Sequence, residues 1–264
     1  MRRRLAPLFA DYMDVITSTQ NRTVRLFRSL AEKKFREREG LFPVEGGNIV
    51  RDIPSGQALR FVLATPERAE EAEERFGGSG VKVYVVADEV MKSVSDTVTP
   101  YGLAAAAELP HREFAAPQGD ALLLDGVSDP GNLGTILRTA AATGFGDVYL
   151  LDCADAYAPK TVRASMGGIF RVRTYDVTEE QAKALAAGTA SAVLDMGGRS
   201  LTGSPLPTPC LYVAGSEAHG VRAALRGAAR EIRSLPMAGG MESLNVAVAC
   251  AVAMYLTFSL GNGH

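Results

Sequence analysis

Two short, continuously apolar runs, Ala121-Leu122-Leu123-Leu124 and Val148-Tyr149-Leu150-Leu151, restrict the possible folds of this chain more than any other feature. A strand with one wet face alternates apolar and polar residues, whereas a run that is apolar throughout has to be covered on both faces. Such strands belong to parallel sheets with helices packed on either side, and the flanking segments supply helices in alternation. From residue 120 the pattern predicts strand 121–124, helix 133–143, strand 148–151, a helix around 161–166, strand 170–173 and helix 179–187. Strands 190–194 and 211–214, a short helix near 222–229, strand 232–235 and an apolar, alanine-rich helix to the C-terminus complete the series.

The part before residue 110 alternates as well. Val24, Phe27, Leu30 and Phe35 fall at helical spacing and predict one helix over 21–38, closed by Gly40. Strand 41–45, a helical segment to about residue 53, strand 59–64 and an acidic helix from Pro66 to Phe76 follow. Strand 81–86, helix 88–94 and strand 103–107 end this region. Residues 109–119, LPHREFAAPQG, hold two prolines and no periodicity, as a linker would. The expected division is a small N-terminal α/β domain over 1–109, a linker over 110–119 and an α/β parallel-sheet domain over 120–264.

Composition narrows the setting. A hydrophobic content of 47% and a charged content of 22% are those of an ordinary soluble globular protein. No run approaches the roughly 18 apolar residues of a membrane span. The first residues lack the pattern of a secretory signal, so a cytoplasmic protein is expected. Cys153, Cys210 and Cys250 are far apart, and so are His111, His219 and His264, which indicates neither a disulfide framework nor a metal site. The net charge is −2, yet residues 2–38 carry ten Lys and Arg against four Asp and Glu. That excess suits a nucleic-acid partner and equally a solvated helix face.

In open parallel sheets, ligands bind beyond the C-terminal ends of the strands. Three such ends carry unusual loops here. In DGVSDPGNLGTILRTA, residues 125–140, Pro130 and Gly131 turn the chain and Asn132 can cap the helix. Gly134 admits a close neighbour, and Arg138 offers a planar fork of donors suited to phosphate. An N-capped helix with a structural arginine would read the same way. In AGSEAHGV, residues 214–221, two glycines flank Ser216, Glu217 and His219, but Ala214 holds the place where a nucleophile elbow needs glycine. In LPMAGGMESLN, residues 235–245, a Pro and Gly turn leads through Ser243, Leu244 and Asn245 into the last helix. Neither a Gly-x-Gly-x-x-Gly fingerprint nor a P-loop is present, so a nucleotide-like ligand would be held by backbone groups of these loops.

In this order, the three loops resemble those of the SpoU (TrmH-like) RNA ribose methyltransferases of the SPOUT superfamily. Asn132, Gly134 and Arg138 match the first motif, Gly215, Glu217 and Gly220 the second, and Pro236, Met237, Gly239, Ser243, Leu244, Asn245 and Val246 the third. Residues 16–109 are similar to the family's substrate-binding domain, which has a ribosomal-protein-like RNA-binding fold. The resemblance implies methyl transfer from S-adenosylmethionine to a ribose 2′-hydroxyl, without a metal, on a parallel sheet threaded into a trefoil knot, an exception to the usual absence of knots. It implies a cofactor site at Gly215, Leu235, Met237 and Leu244, and a catalytic set of Asn132, Arg138, Glu217, Ser243 and Asn245. It also implies a homodimer packed through the C-terminal knotted region, in which Arg138 can complete the partner's site. One departure is Ala247, where many members carry serine. By analogy the two-domain layout leans towards ribosomal RNA as substrate. Transfer RNA, a ribosomal antibiotic-resistance methylase and a non-catalytic RNA-binding protein remain as alternatives.

Overall fold

The computed structural model describes residues 14–97, 99–202, 204, 206–216, 218–239, 241 and 243–261. Two units divide the chain, Met1–Pro110 with Tyr157–Pro159, and His111–Ala156 with Lys160–His264.

The first unit contains α1 (Arg22–Ser29), α2 (Lys33–Glu39), β1 (Leu41–Glu45), α3 (Gly47–Arg51), β2 (Leu59–Ala64), α4 (Ala69–Phe76), β3 (Lys82–Val85), α5 (Asp88–Val94) and β4 (Leu103–Glu108). Its sheet runs β1-β4-β2-β3, with β4 antiparallel to both neighbours and β2 parallel to β3. Val24, Phe27 and Leu30 of the first helical region bury against Leu41, Phe61 and Leu63 of the sheet. The single helix expected over 21–38 is two helices. Asn21 caps the first through its side chain, and Glu32 then opens the second with an extended backbone. The break is held by Arg36, 3% exposed, whose Nη1 donates to the carbonyls of Leu30 (2.7 Å) and Ala31 (2.8 Å). Phe35 is accordingly not a core residue; Lys34 and Arg38 lie over its ring at 4.8 and 4.7 Å. Gly40 closes α2 in the left-handed conformation, φ 64°, which glycine adopts without steric cost.

The second unit contains β5 (Ala121–Asp125), α6 (Pro130–Thr143), β6 (Asp147–Leu151), α7 (Pro159–Ala164), β7 (Arg173–Asp176), α8 (Glu179–Gly188), β8 (Ser191–Ser200), β9 (Leu211–Gly215), α9 (Ala223–Ala228), β10 (Glu231–Ser234) and α10 (Val246–Gly261). The six strands form one sheet in the order β10-β8-β9-β5-β6-β7, parallel at every pairing. Every residue of β5 and β6 is buried, as their unbroken apolar runs require.

Three expectations need correcting here. The strand expected at 170–173 lies later, as β7, because Met166 and Gly167 turn the chain with positive φ and residues Gly168–Phe170 form a single 3-10 turn. The strand expected at 190–194 runs on to Ser200, since its second half pairs with β10 alone. The cap of α6 is Asp129, not Asn132: its side chain accepts from the Asn132 N–H at 2.8 Å, with Pro130 at the first helical position, where no donor is lost.

Register decides where the loops meet. Asp125 pairs with Leu151 on one side and Gly215 on the other, so β5, β6 and β9 end level. The loops that follow β5 and β9 therefore start side by side at the C-terminal edge. Helix α10 returns across the sheet, tied to β9 by the Tyr212 and Thr257 hydroxyls, 2.8 Å apart, and it packs along α6.

Candidate active site

The loop after β5 delivers Asn132 on the first turn of α6. Because Asp129 takes over the capping, the Asn132 side chain is available for another role, and its Oδ1 accepts from Asn245 Nδ2 at 3.0 Å. Asn245 is itself the cap of α10: its Oδ1 accepts from the N–H groups of Ala247 (2.9 Å) and Val248 (3.3 Å). One amide thus joins the first loop to the third, with its carbonyl committed to the helix and its amino group committed to Asn132. The hydrogen bond from the Asn132 N–H, helped by Lys160, holds the Asp129 carboxyl below its ordinary value, so the cap stays charged. Gly134, from the same loop, is a packing residue. A Cβ there would meet the side chain of Ala164 and lie 2.6 Å from the Thr161 carbonyl of α7.

The loop after β9 folds back on itself. The Gly220 N–H donates to the Ser216 carbonyl at 2.8 Å, and a Cβ on Gly215 would overlap the carbonyl group of Gly220. Gly220 has a φ of 65°. Both glycines are needed for this closure, which leaves backbone on the inner side of the loop.

Between the second and third loops lies a cavity of about 290 Å³. Gly215, Leu235, Met237, Ser243 and Leu244, which the sequence singled out, all line it. Ser216, from the loop 214–221, lines it as well, and so do Leu194, Asp195, Met196 and Ala249, which no sequence motif marks. The signal that could have found Leu194, Asp195 and Met196 is the Gly197–Gly198 pair that follows them within β8. A Cβ on Gly198 would lie 2.5 Å from the Ile232 carbonyl, so that glycine lets β10 close against β8. Asp195 and Arg233 are the charged residues among the described lining, and both are paired: Asp195 with Arg226, Arg233 with Glu231 at 2.9 Å. Burial pushes the Asp195 carboxyl up, but the Arg226 guanidinium and the Gly197 N–H outweigh it and keep the group ionised. The remaining walls are aliphatic and thioether side chains, two serines and peptide backbone, a surface that suits a neutral purine.

The expected catalytic set is brought together only in part. Asn132 and Asn245 touch, and Ser243 reaches the cavity. Arg138 stands six residues beyond Asn132 on α6, so the two lie about 120° apart around the helix at about 100° per residue. Its side chain is exposed and does not line the cavity. Glu217 lies outside the described residues. Cys153 is no nucleophile, since burial pushes its thiol up to about 11. Among the described residues no group of three or more His, Cys, Asp or Glu is placed to hold a metal ion, and no helix is long and apolar enough to cross a membrane.

A cavity of aliphatic side chains, peptide backbone and two paired charges at the C-terminal edge of a parallel sheet, beside a polar amide pair, suits an enzyme with a nucleoside-like cofactor. Comparison with known proteins narrows that class. Residues 120–255 match the SpoU rRNA Methylase family, and residues 21–105 match the MRM3-like substrate binding domain. The chain is 31% identical over 249 residues to the 23S rRNA (guanosine(2553)-2′-O)-methyltransferase RlmP of Bacillus subtilis, covering 92% of this chain and 98% of the relative. Among solved structures it is similar to an RNA methyltransferase of the TrmH family from Porphyromonas gingivalis, with a TM-score of 0.80 and 33% identity over 88% of this chain and 95% of that one. It is also similar to the AdoMet-bound rRNA methyltransferase from Sinorhizobium meliloti, with a TM-score of 0.80 and 26% identity over 93% of this chain and 97% of that one. The chain belongs to the SpoU family of S-adenosylmethionine-dependent RNA ribose 2′-O-methyltransferases. The cavity fits that donor, because its apolar walls can take the adenine and its exposed backbone can hydrogen-bond the ring edge.

Proposed function

We propose that this enzyme methylates a ribose of ribosomal RNA, with residues 1–109 as an RNA-binding domain, 110–119 as a linker and 120–264 as the methyltransferase domain. The reading is supported by the match of residues 21–105 to a substrate binding domain and by the 23S rRNA named for the Bacillus subtilis relative. The observation that carries it is the Asn245–Asn132 hydrogen bond of 3.0 Å. It joins the first and third loops next to Leu244 and Val246, which line the cavity.

Gly215, Leu235, Met237 and Leu244 hold the cofactor in this reading, chiefly through backbone. S-adenosylmethionine supplies an electrophilic methyl group on a sulfonium. The chain has to position the ribose and manage its proton. A ribose hydroxyl is a weak acid near neutral pH, so its proton has to be accepted or its developing charge stabilised. A guanidinium offers only donors and a fixed cation, which suits Arg138 to the substrate phosphate or the growing oxyanion and not to the role of base. Asn132, Ser243 and Asn245 orient the hydroxyl, and Glu217 orients Arg138 or Asn132. If Glu217→Gln leaves turnover unchanged, that last role is wrong.

The reading includes a trefoil-knotted C-terminal region, a homodimer packed through it, and a cytoplasmic setting consistent with three free cysteines. The dimer is supported by α10, where Val248, Val252, Tyr255 and Phe258 recur on one face and are 48%, 39%, 51% and 40% exposed. So continuous an apolar stripe on a surface helix calls for a cover. Sedimentation should find a dimer that Tyr255→Glu converts to monomer; a monomeric wild-type chain would end the dimer assignment.

Methyl transfer from labelled S-adenosylmethionine to total RNA, with mapping of the product, tests the substrate. Label on the 2′-oxygen of one ribosomal RNA nucleotide is expected. Label confined to transfer RNA would move the substrate, and label only on base atoms would remove the ribose assignment.

A further inference from the structure

Arg222, one residue past the loop after β9, has an unusual set of partners. Its backbone N–H donates to Asp125 Oδ2 and its Nε to Asp125 Oδ1, both at 2.8 Å. Its Nη2 reaches Asp152 Oδ2 at 2.8 Å and its Nη1 reaches Glu179 Oε2 at 3.1 Å. Three carboxylates from three elements therefore converge on one guanidinium. Asp125, at the end of β5, is 4% exposed, and a carboxylate so placed needs a cation with matching geometry. Asp152, just past β6, has a φ of 51°, a left-handed backbone that aspartate adopts more readily than most non-glycine residues.

What Arg222 fastens is the architecture of the site. On one side, the loop it terminates supplies Ser216 and Gly220 to the cavity wall. On the other, Asp125 begins the segment that leads through Gly126 to the Asp129 cap and Asn132. The two loops lie close together: a Cβ on Gly126 would come within 3.7 Å of Ser216 Cβ. We propose that Arg222 is a positioning residue that rivets the cofactor loop to the ends of β5 and β6, so that cofactor affinity and the placement of Asn132 depend on the same guanidinium. The proposal rests on the assignment of the cavity to S-adenosylmethionine.

Lysine keeps the charge but loses the fork, so Arg222→Lys is not a conservative change at this position. The control is Arg173→Lys, at a second forked pair: Arg173 Nε and Nη2 donate to Asp147 at 2.7 and 2.8 Å, at the starts of β7 and β6. Calorimetric titration with S-adenosylmethionine, melting temperatures and steady-state kinetics on full-length chains decide between the roles. Arg222→Lys should weaken cofactor binding about tenfold or more and lower kcat, with the KM for RNA nearly unchanged. Arg173→Lys should lower the melting temperature and leave cofactor affinity alone. Glu179→Gln, which removes one outer partner, should fall between wild type and Arg222→Lys in cofactor affinity and provides a milder variant should Arg222→Lys fail to fold. If Arg222→Lys or, in its place, Glu179→Gln melts early but binds the cofactor and turns over as wild type does, Arg222 is a structural ion pair only and the proposal is overturned. A wild-type chain that binds no S-adenosylmethionine would instead overturn the cavity assignment beneath it.

Discussion

The six-stranded sheet has two edges, both closed by a forked arginine–aspartate pair, and they differ in what surrounds that pair. At the strand starts, Arg173 and Asp147 join adjacent strands, and the Gln118 N–H adds a bond to Asp147 at 3.0 Å. None of these three residues lines the cavity at the strand ends. At the strand ends, Arg222 gathers Asp125, Asp152 and Glu179, the following loops are glycine-bearing, and the cavity opens beside them. The same ionic device stabilises at one edge and orients at the other. What separates the two is topology: a parallel sheet sends every helix connection out from its strand ends, so loops that can surround a ligand accumulate there.

The largest effect expected from this contrast is on turnover without loss of fold. The Arg138 side chain is exposed and has no hydrogen-bond or ion-pair partner among the described residues. If Arg138 stabilises the developing charge as proposed, Arg138→Ala should cost about a hundred- to thousandfold in kcat, as loss of a charge-stabilising donor does. Its melting temperature should stay at the wild-type value. Single-turnover kinetics beside calorimetric melting would check both halves, and a large loss of stability would mean that the residue belongs to the scaffold. Gly134→Ala comes next. It sits in the first motif at the reactive edge, yet its expected effect is structural: the new Cβ would press on Ala164 and the Thr161 carbonyl, costing about 1–3 kcal/mol as overpacking does. Chemical denaturation would show it; a fully stable variant with lost activity would make Gly134 a substrate contact.

Asp147→Asn tests the other edge and should have the smallest effect. It should cost about 1–2 kcal/mol at neutral pH, less than a fully buried pair would because Arg173 is partly in water, with no change in cofactor affinity. The pH dependence follows from the direction of the shift. Burial pushes the Asp147 carboxyl up, but the Arg173 fork and the Gln118 N–H outweigh it, so its folded value lies below 3.8. A carboxyl held low contributes stability that is fully present above its unfolded value and is lost as pH falls through the folded one. The wild-type advantage over Asp147→Asn should therefore shrink below about pH 4. Acid titrations of stability that ran parallel for the two proteins would contradict this.

Much of the scaffold was legible because its signals are local. Strands 41–45 and 59–64 and helix 88–94 lie where apolar runs and punctuating residues place them. The break between α1 and α2 was hidden because it depends on Arg36, whose side chain reaches back to carbonyls five and six residues earlier. Asp129 and Asn132 are both good capping residues; the bond from the Asn132 N–H spends Asp129 on the cap, and the Asn132 side chain meets the Asn245 amide, 113 positions away. The cavity residues from the second and third loops were found through motifs. Leu194, Asp195 and Met196 were not, because their place depends on how far β8 runs beside β10, a pairing between distant segments. Gly134 was marked as a close approach, but that the neighbour is α7 and not a ligand is a tertiary fact.

The roles proposed for the three loops depend on the cavity at the strand ends. Ala249, on α10, lines it and is half-buried, so Ala249→Trp should fill the space while the ring projects from a helix that remains intact. Calorimetric titration of S-adenosylmethionine into the wild-type chain should show one site per chain, and the same titration of Ala249→Trp should show none at an unchanged melting temperature. Equal affinity in the two proteins would place the cofactor elsewhere and contradict the account.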